Sequence, residues 1–526
     1  MQLKLRSLLF LGVLFLPVAC TETSPQRDGA SPLPSAPATD TPRTNPTGTA
    51  PGAEPGAEPS APLPRGRRDA GARPENPPSN GGAGSGPTPV DTNDPIAPVL
   101  PPGPRPTPPN IVFVLADDLG RGEVGAYGAT PTQTPTLDAL ANAGVRFDNA
   151  FVTEAMCAPS RSSILTGLYP VRHGSHRNHG TIKPGVLALA HYLKPLGYKV
   201  VLAGKTHIKP LAQFEFDEVL GTNQVPDFIA RSKNTRFLLY YASNQPHAPH
   251  ALPTNFKGSD VEVYPNWVDT PTLRETVAGY YEDVLLFDSE LAVIDQALTK
   301  NELTSSTLTI ATSDHGNAWY AKWTLYDAGL RVPFIARWPG IIAQGTRSAA
   351  MFSFVDLLPT FVDLAGGQPP TNIDGQSFAE ALLGHTQQHR DVVFASHTTR
   401  GIIGGSTYPV RAVRTKTLKY LRNLNANEPF TNTITETRGE VWDSWVAAAK
   451  TSAFAQERVT LYQHRPAEEL YDLENDPFEL VNLGQSPAHQ EQKLALSAQL
   501  DAFMAQQGDL GLETELAAAV ANPNEP

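Results

Sequence analysis

The chain has 526 residues, 40% of them hydrophobic, with 50 prolines, only two cysteines and a formal net charge of −12. That length and apolar content supply a large buried core, which excludes a wholly disordered chain and a small disulfide scaffold. The acidic balance excludes a nucleic-acid partner, which would require a basic surface.

Residues 1–20, MQLKLRSLLFLGVLFLPVAC, set Lys4 and Arg6 before an apolar run and small Ala19 before Cys20. This is the layout of a secretory signal, and the run is too short to be a good membrane span. Its ending, LPVAC, resembles a bacterial lipoprotein box, with Pro17 where an aliphatic residue is usual. The resemblance implies export and a lipid anchor on Cys20, placing the protein in the periplasm or on the cell surface. Residues 21–108 follow with a large share of the prolines and a PGAEPGAEP duplication, and they lack core-forming side chains. They read as a disordered, partly polyproline-like tether.

From residue 109 the composition becomes that of a folded domain. NIVFVLADD (110–118) is a β-prone run that stops at Asp117 and Asp118, and TPTLDALANAGV (134–145) after it has helical spacing. MCAPSRSSILTG (156–167) then brings Cys157 to the start of a helix, since Pro159 suits a first turn and backbone N–H groups there favour negative charge. With Cys20 assigned to an anchor, Cys157 has no disulfide partner. It is a small buried hydrophobe, a thiolate nucleophile that needs a histidine base, or a metal ligand that would need further cysteines. Its surroundings favour chemistry: residues 155–210 hold eight Lys or Arg and no Asp or Glu, an anion trap inside an acidic protein.

Three more strand-like runs end in polar groups. YKVVLAGKTH (198–207) ends in Lys205 and His207, RFLLYYASNQPHAPH (236–250) in His247 and His250, and STLTIATSDHG (306–316) in Asp314 and His315. Helix-like stretches such as GVLALAHYLKPLG (185–197) alternate with them, as expected of an α/β fold with a parallel sheet and helices on both faces. Ligands of such sheets bind beyond the carboxyl ends of the strands. Three carboxylates at one edge need a cation, and oxygen donors favour calcium, magnesium or manganese over zinc. A divalent cation, a helix N-terminus, Arg161 and Lys205 together suit a tetrahedral oxyanion, sulfate or phosphate.

Cys157, Pro159, Ser160 and Arg161, followed by Leu165, Thr166 and Gly167, resemble the signature of the type I formylglycine-dependent sulfatases. The ADD, GKxH, PHxP and SDHG segments recur in that family's order, and ELYDLENDPFELVNL (469–483) is similar to its C-terminal strand and turn. The resemblance implies an alkaline-phosphatase-like fold: a large mixed, mostly parallel sheet flanked by helices in a catalytic domain over 109–400, and a small antiparallel sheet in a C-terminal subdomain over 401–515. It further implies that a maturation enzyme converts Cys157 to Cα-formylglycine, whose hydrate attacks sulfur. Calcium would be held by Asp117, Asp118, Asp314, His315 and the modified Cys157. Asp314 would be the base, Arg161 and His173 would hold the aldehyde hydrate, and His207 would support the nucleophile. Lys205, His247 and Lys322 would bind sulfate, with His247 or Lys322 protonating the leaving group.

Two departures stand out. GKTHIKP replaces the family's usual GKWHLG, and His315 stands where many members have Asn, so this imidazole either binds the metal or contacts the sulfate. The substrate implied is a sulfated small molecule or glycan. YPVRAVRTKTLKYLRNLN (408–425) and FASHTTRG (394–401) resemble N-sulfoglucosamine sulfohydrolases, which makes His397, Arg400, Arg411 and Arg414 candidate sugar contacts. The competing expectations are a phosphonate or phosphate-diester hydrolase of the same superfamily and an inactive sulfated-glycan-binding lipoprotein.

Overall fold

Asn110–Ala116 (β1) is buried at every position but the first, which is the signature of a strand covered on both faces and explains its unbroken apolar run. The computed structural model describes residues 96–517 except 98, 102, 104, 318, 320, 400, 401, 403–406, 437 and 438. The signal, Cys20, most of the tether and Arg400 therefore lie outside the described residues.

Around β1 the sheet is completed by β2 (Val145–Phe151), β3 (Lys199–Gly204), β4 (Glu218–Leu220), β5 (Phe237–Ala242), β6 (Thr307–Ser313), β7 (Phe334–Arg337) and β8 (Thr346–Ser353). The strand order is β4-β3-β5-β1-β6-β7-β2-β8. Only β7 runs against its neighbours β6 and β2, so the sheet is mixed and mostly parallel, as the sequence implied. The four strands read from the sequence, β1, β3, β5 and β6, lie side by side in register, and their polar endings emerge at one edge.

The longest helix, Pro271–Lys300, starts at Thr270, whose hydroxyl accepts from the Leu273 N–H at 3.1 Å, with Pro271 in the first turn. It buries Leu273, Val277, Tyr280, Val284, Phe287, Leu291, Ile294 and Leu298, a stripe spaced three or four residues apart, into the main core.

A second, antiparallel sheet has the order β12-β11-β10-β9, from β9 (Val393–His397), β10 (Val410–Arg414), β11 (Leu418–Asn423) and β12 (Glu468–Asp472). Helix Gln490–Gln507 covers it through Leu496, Leu500, Phe503 and Met504. Its first strand precedes residue 401, so the small sheet begins before the boundary expected from the sequence.

The end of the proline-rich stretch also packs on the domain. Ile96 bridges Arg347, the Ala97 N–H donates to the Arg347 carbonyl at 2.8 Å, and Arg105 pairs with Asp363 at 3.1 Å. Backbone pairing needs no apolar side chains, which is why composition assigned these residues to the tether. Among the described residues no helix is long and apolar enough to cross a membrane.

Candidate active site

The site forms where the chain leaves β1 and β6 side by side. The Asp314 N–H donates to the Ala116 carbonyl at 3.1 Å, and the Asp118 N–H donates to Asp314 Oδ1 at 3.2 Å. Asp118 takes φ 71°, a left-handed conformation that costs a non-glycine residue on the order of 1 kcal/mol or more and often marks function. Tyr280 of the long helix steadies this turn, donating to the Asp118 carbonyl at 2.9 Å and accepting from the Gly120 N–H at 3.0 Å.

Helix Cys157–Thr166 delivers the cysteine at its first residue, after Met156 in extended conformation, and every residue of this helix is buried. Cys157 Sγ lies 3.4 Å from Asp117 Oδ1, 3.3 Å from His315 Nε2 and 4.0 Å from Lys205 Nζ. Burial alone would raise the thiol, but Lys205 and Lys322 outweigh it and pull it down to about 7. One turn along, Arg161 Nε pairs with Asp314 Oδ2 at 2.9 Å, and its other arm lies 3.7 Å from Asp117. Ser160 adds a hydroxyl bond to the Asp314 carbonyl at 2.6 Å.

Lys205 pairs with Asp117, and Lys322 grips Asp118 through both carboxylate oxygens at 2.7 and 2.9 Å. His247 Nε2 stands 3.9 Å from Asp118 and is the most exposed of the group, 28% by side chain, at the mouth of the site. His315 Nδ1 donates to the Gly316 carbonyl at 2.9 Å, which turns Nε2 inward, 3.2 Å from Asp118 Oδ1. Burial opposes a charge on this ring, yet Asp314 and Asp118 raise it to about 9.

Ligand atoms of Asp117, Cys157, Asp314 and His315 lie within 4.8 Å of one another, as do those of Asp117, Asp118, Cys157 and His247. The donor set suits a hard divalent cation: three buried carboxylates, with one imidazole in each of the two groups. Burial, and then the neighbouring Asp117 carboxylate, push the Asp314 carboxyl up to about 6. Because three carboxylates are already matched by Arg161, Lys205 and Lys322, an added divalent cation leaves the pocket positive, as an anionic substrate requires.

The structure thus brings Asp117, Asp118, Cys157, Arg161, Lys205, His247, Asp314, His315 and Lys322 together. His207 lies close enough to feel the charges of Lys205, Arg161, Asp117 and Asp314, with its Nε2 3.0 Å from His179 Nδ1. His173 is a correction. It is fully buried behind the helix, Nε2 at 3.1 Å from Ser163 Oγ and Nδ1 accepting from the Ser175 N–H at 3.0 Å. Both ring nitrogens are thus engaged away from Cys157, and the ring buttresses the loop.

The sugar contacts expected in the small sheet are corrected as well. Arg411 is 1% exposed and pairs with Asp509 and Glu515; Arg414 is 3% exposed and pairs with Asp327 at 2.8 Å. His397 is 1% exposed, beside Phe430. A strand pattern does not reveal carboxylates arriving from distant segments, so these cations looked free. The sequence also gave no sign of Tyr280, which sits in an ordinary apolar stripe, nor of His179, although HGSHRNHG (173–180) is conspicuously rich in histidine. A groove of about 630 Å³ between Phe256, Lys257, Asp269 and Arg274 contains none of the clustered groups.

Comparison with known proteins agrees with this geometry. The Sulfatase family model matches residues 109–236 and 217–367, and the model of the N-sulphoglucosamine sulphohydrolase C-terminal region matches 314–432. An ulvan-active sulfatase of Formosa agariphila is 36% identical over 434 residues, covering 79% of this chain and 84% of that protein. A solved 2-O GAG sulfatase superposes with TM-score 0.60 at 22% identity, over 76% of this chain and 93% of its own. A phosphonate monoester hydrolase of Silicibacter pomeroyi superposes with TM-score 0.58 at 18% identity, over 76% and 96%. At such identities the two superpositions report the shared fold alone, whereas the family model and the 36% identical relative carry the assignment. The chain belongs to the sulfatase family of sulfuric ester hydrolases.

Proposed function

We propose that this sulfatase releases sulfate from a sulfated glycan, using formylglycine made from Cys157 and a calcium ion held by Asp117, Asp118, Asp314 and His315. The observation that carries the reading is the thiol itself, at the first residue of a buried helix and in contact with Asp117, His315 and Lys205. A cysteine kept only for packing does not require three charged or ionisable neighbours from three other segments.

When present, formylglycine supplies a hydrated aldehyde as nucleophile, and calcium polarises the sulfate oxygens. The remaining work falls to side chains. Arg161 fixes the Asp314 carboxylate, and Asp314, raised to about 6, holds and returns a proton near position 157. Lys205 and Lys322 flank the cysteine and supply positive charge for the sulfate oxygens. His247 or Lys322 protonates the leaving oxygen or nitrogen, and the greater exposure of His247 supports it in that role.

The similarity to an ulvan-active sulfatase supports a polysaccharide substrate. The match of residues 314–432 to the N-sulphoglucosamine sulphohydrolase model supports extending the reading to sulfamates. Export through residues 1–20, a lipid anchor at Cys20 and a formylglycine-generating partner complete the proposal. The phosphonate hydrolase neighbour shares the fold and does not by itself favour phosphoryl chemistry.

The test is sulfate release from N-sulfoglucosamine, a 6-O-sulfated sugar and an aryl sulfate, beside phosphonate monoester turnover, together with the intact mass of the peptide spanning Cys157. Cys157→Ala should abolish turnover with the fold intact. Full activity with an unmodified thiol throughout would overturn the mechanism.

A further inference from the structure

The loop carrying His179 packs on the loop carrying His207: the Ile182 N–H donates to the Lys209 carbonyl at 2.9 Å, beside the 3.0 Å contact between the two imidazoles. Both histidines adopt left-handed backbone conformations, φ 59° at His179 and 41° at His207. Two bulky residues in that sparsely populated region, facing each other beside a catalytic centre, indicate a contact maintained at some cost in stability.

The hydrogen-bond chain has a direction. Asn178 Nδ2 lies 3.3 Å from His179 Nε2 and can only donate, so His179 Nε2 is the acceptor. Burial first, and then His207, hold His179 down to about 4; burial, then Lys205 and Arg161, hold His207 down to about 3. A ring that accepts at one nitrogen is neutral and carries its single proton on the other. The proton of His179 sits on Nδ1 and is donated to His207 Nε2, which leaves the proton of His207 on its own Nδ1. That atom is buried and has no hydrogen-bond partner, in a ring that feels Lys205, Arg161, Asp117 and Asp314.

We propose that His179 is a positioning residue that fixes His207 as the Nδ1–H tautomer, so that His207 presents a hydrogen-bond donor to the oxygen carried at position 157. This rests on the sulfatase mechanism proposed above and adds a residue to it. It does so through tautomer control, the usual means by which an outer partner sets the function of a histidine.

The test joins kinetics to a readout of the tautomer. In full-length mature protein labelled with ¹⁵N-histidine, the long-range ¹H–¹⁵N pattern of His207, assigned by its loss in His207→Gln, should be that of an Nδ1–H ring. His179→Asn keeps an amide donor where Nδ1 stood, and should retain both that pattern and kcat for an aryl sulfate. His179→Ala should release the tautomer and lower kcat by about 10- to 100-fold with KM little changed. An Nε2–H ring in the wild type, wild-type kcat in His179→Ala, or an Asn variant no better than the Ala variant would each overturn the proposal. Absence of any sulfate release by the wild type would count against the sulfatase mechanism instead, and the tautomer would still be readable.

Discussion

Replacing Arg411 by Met separates an internal ion network from a substrate contact. The guanidinium donates to Asp509 Oδ2 at 2.5 Å and Oδ1 at 3.2 Å, to Glu515 Oε1 at 2.9 Å, and to the carbonyls of His397 and Val410 at 3.2 and 3.0 Å. Both carboxylates are buried, and nearby Glu154 is already raised well above the ordinary range by burial and then by Glu515, with Arg411 opposing. Methionine fills much of the volume but leaves two acidic groups without their cation, and breaking a buried pair in this way costs about 3–5 kcal/mol. With unfolding entropy of about 2 cal/mol/K per residue, a loss on that scale lowers Tm by roughly 3–6 °C in a domain of this length. The assay is thermal and urea unfolding at pH 8 and pH 5, beside Michaelis kinetics. The deficit should shrink at pH 5, where protonation relieves the orphaned carboxylates. Replacing Asp509 and Glu515 by leucine together with Arg411→Met should recover much of it. Unchanged Tm with a raised KM would refute the reasoning and return Arg411 to the substrate.

Asp314→Asn should remove calcium and activity together, because the carboxylate that joins Arg161 to the β1 turn is lost; elemental analysis showing retained stoichiometric calcium would refute the ligand assignment. Glu123 is pushed up to about 7 by burial, despite hydrogen bonds from Tyr264 at 2.7 Å and Asn317 at 3.2 Å. Its folded value exceeds the unfolded one, so the folded state binds the extra proton and stability falls as pH rises from about 4.5 to about 7, by about 3 kcal/mol in all. Glu123→Gln should flatten that slope in Tm measured from pH 5 to pH 8, and a slope unchanged from wild type would count against it. Removing residues 1–94 should yield a water-soluble protein with unchanged kcat and Tm, since Ile96, Ala97 and Arg105 keep their partners on the domain. Detergent phase partition of the exported full-length protein should show the bilayer association that the truncated form lacks.

The sequence by itself determined the class of sheet and which side chains gather at its edge as the candidate site. Strands buried on both faces must be continuous apolar runs, and in a parallel sheet the groups just beyond such runs converge on one edge, so Asp117, Asp118, Lys205, His247, Asp314 and His315 could be placed from one-dimensional information. Cys157 and Arg161 were legible for a related reason, because a helix start and one turn of spacing are local properties. What only the tertiary structure decided were partnerships between distant segments. Arg411 and Arg414 look like available cations until Asp509, Glu515 and Asp327 are seen to neutralise them inside the domain. His173 looks catalytic until Ser163 and Ser175 occupy its ring, while His179 acquires significance only from His207 across a loop contact. A charge or an imidazole has the same sequence signature whether it is satisfied internally or left facing a ligand, and burial and hydrogen bonding, which select between the two, exist only once the chain is packed.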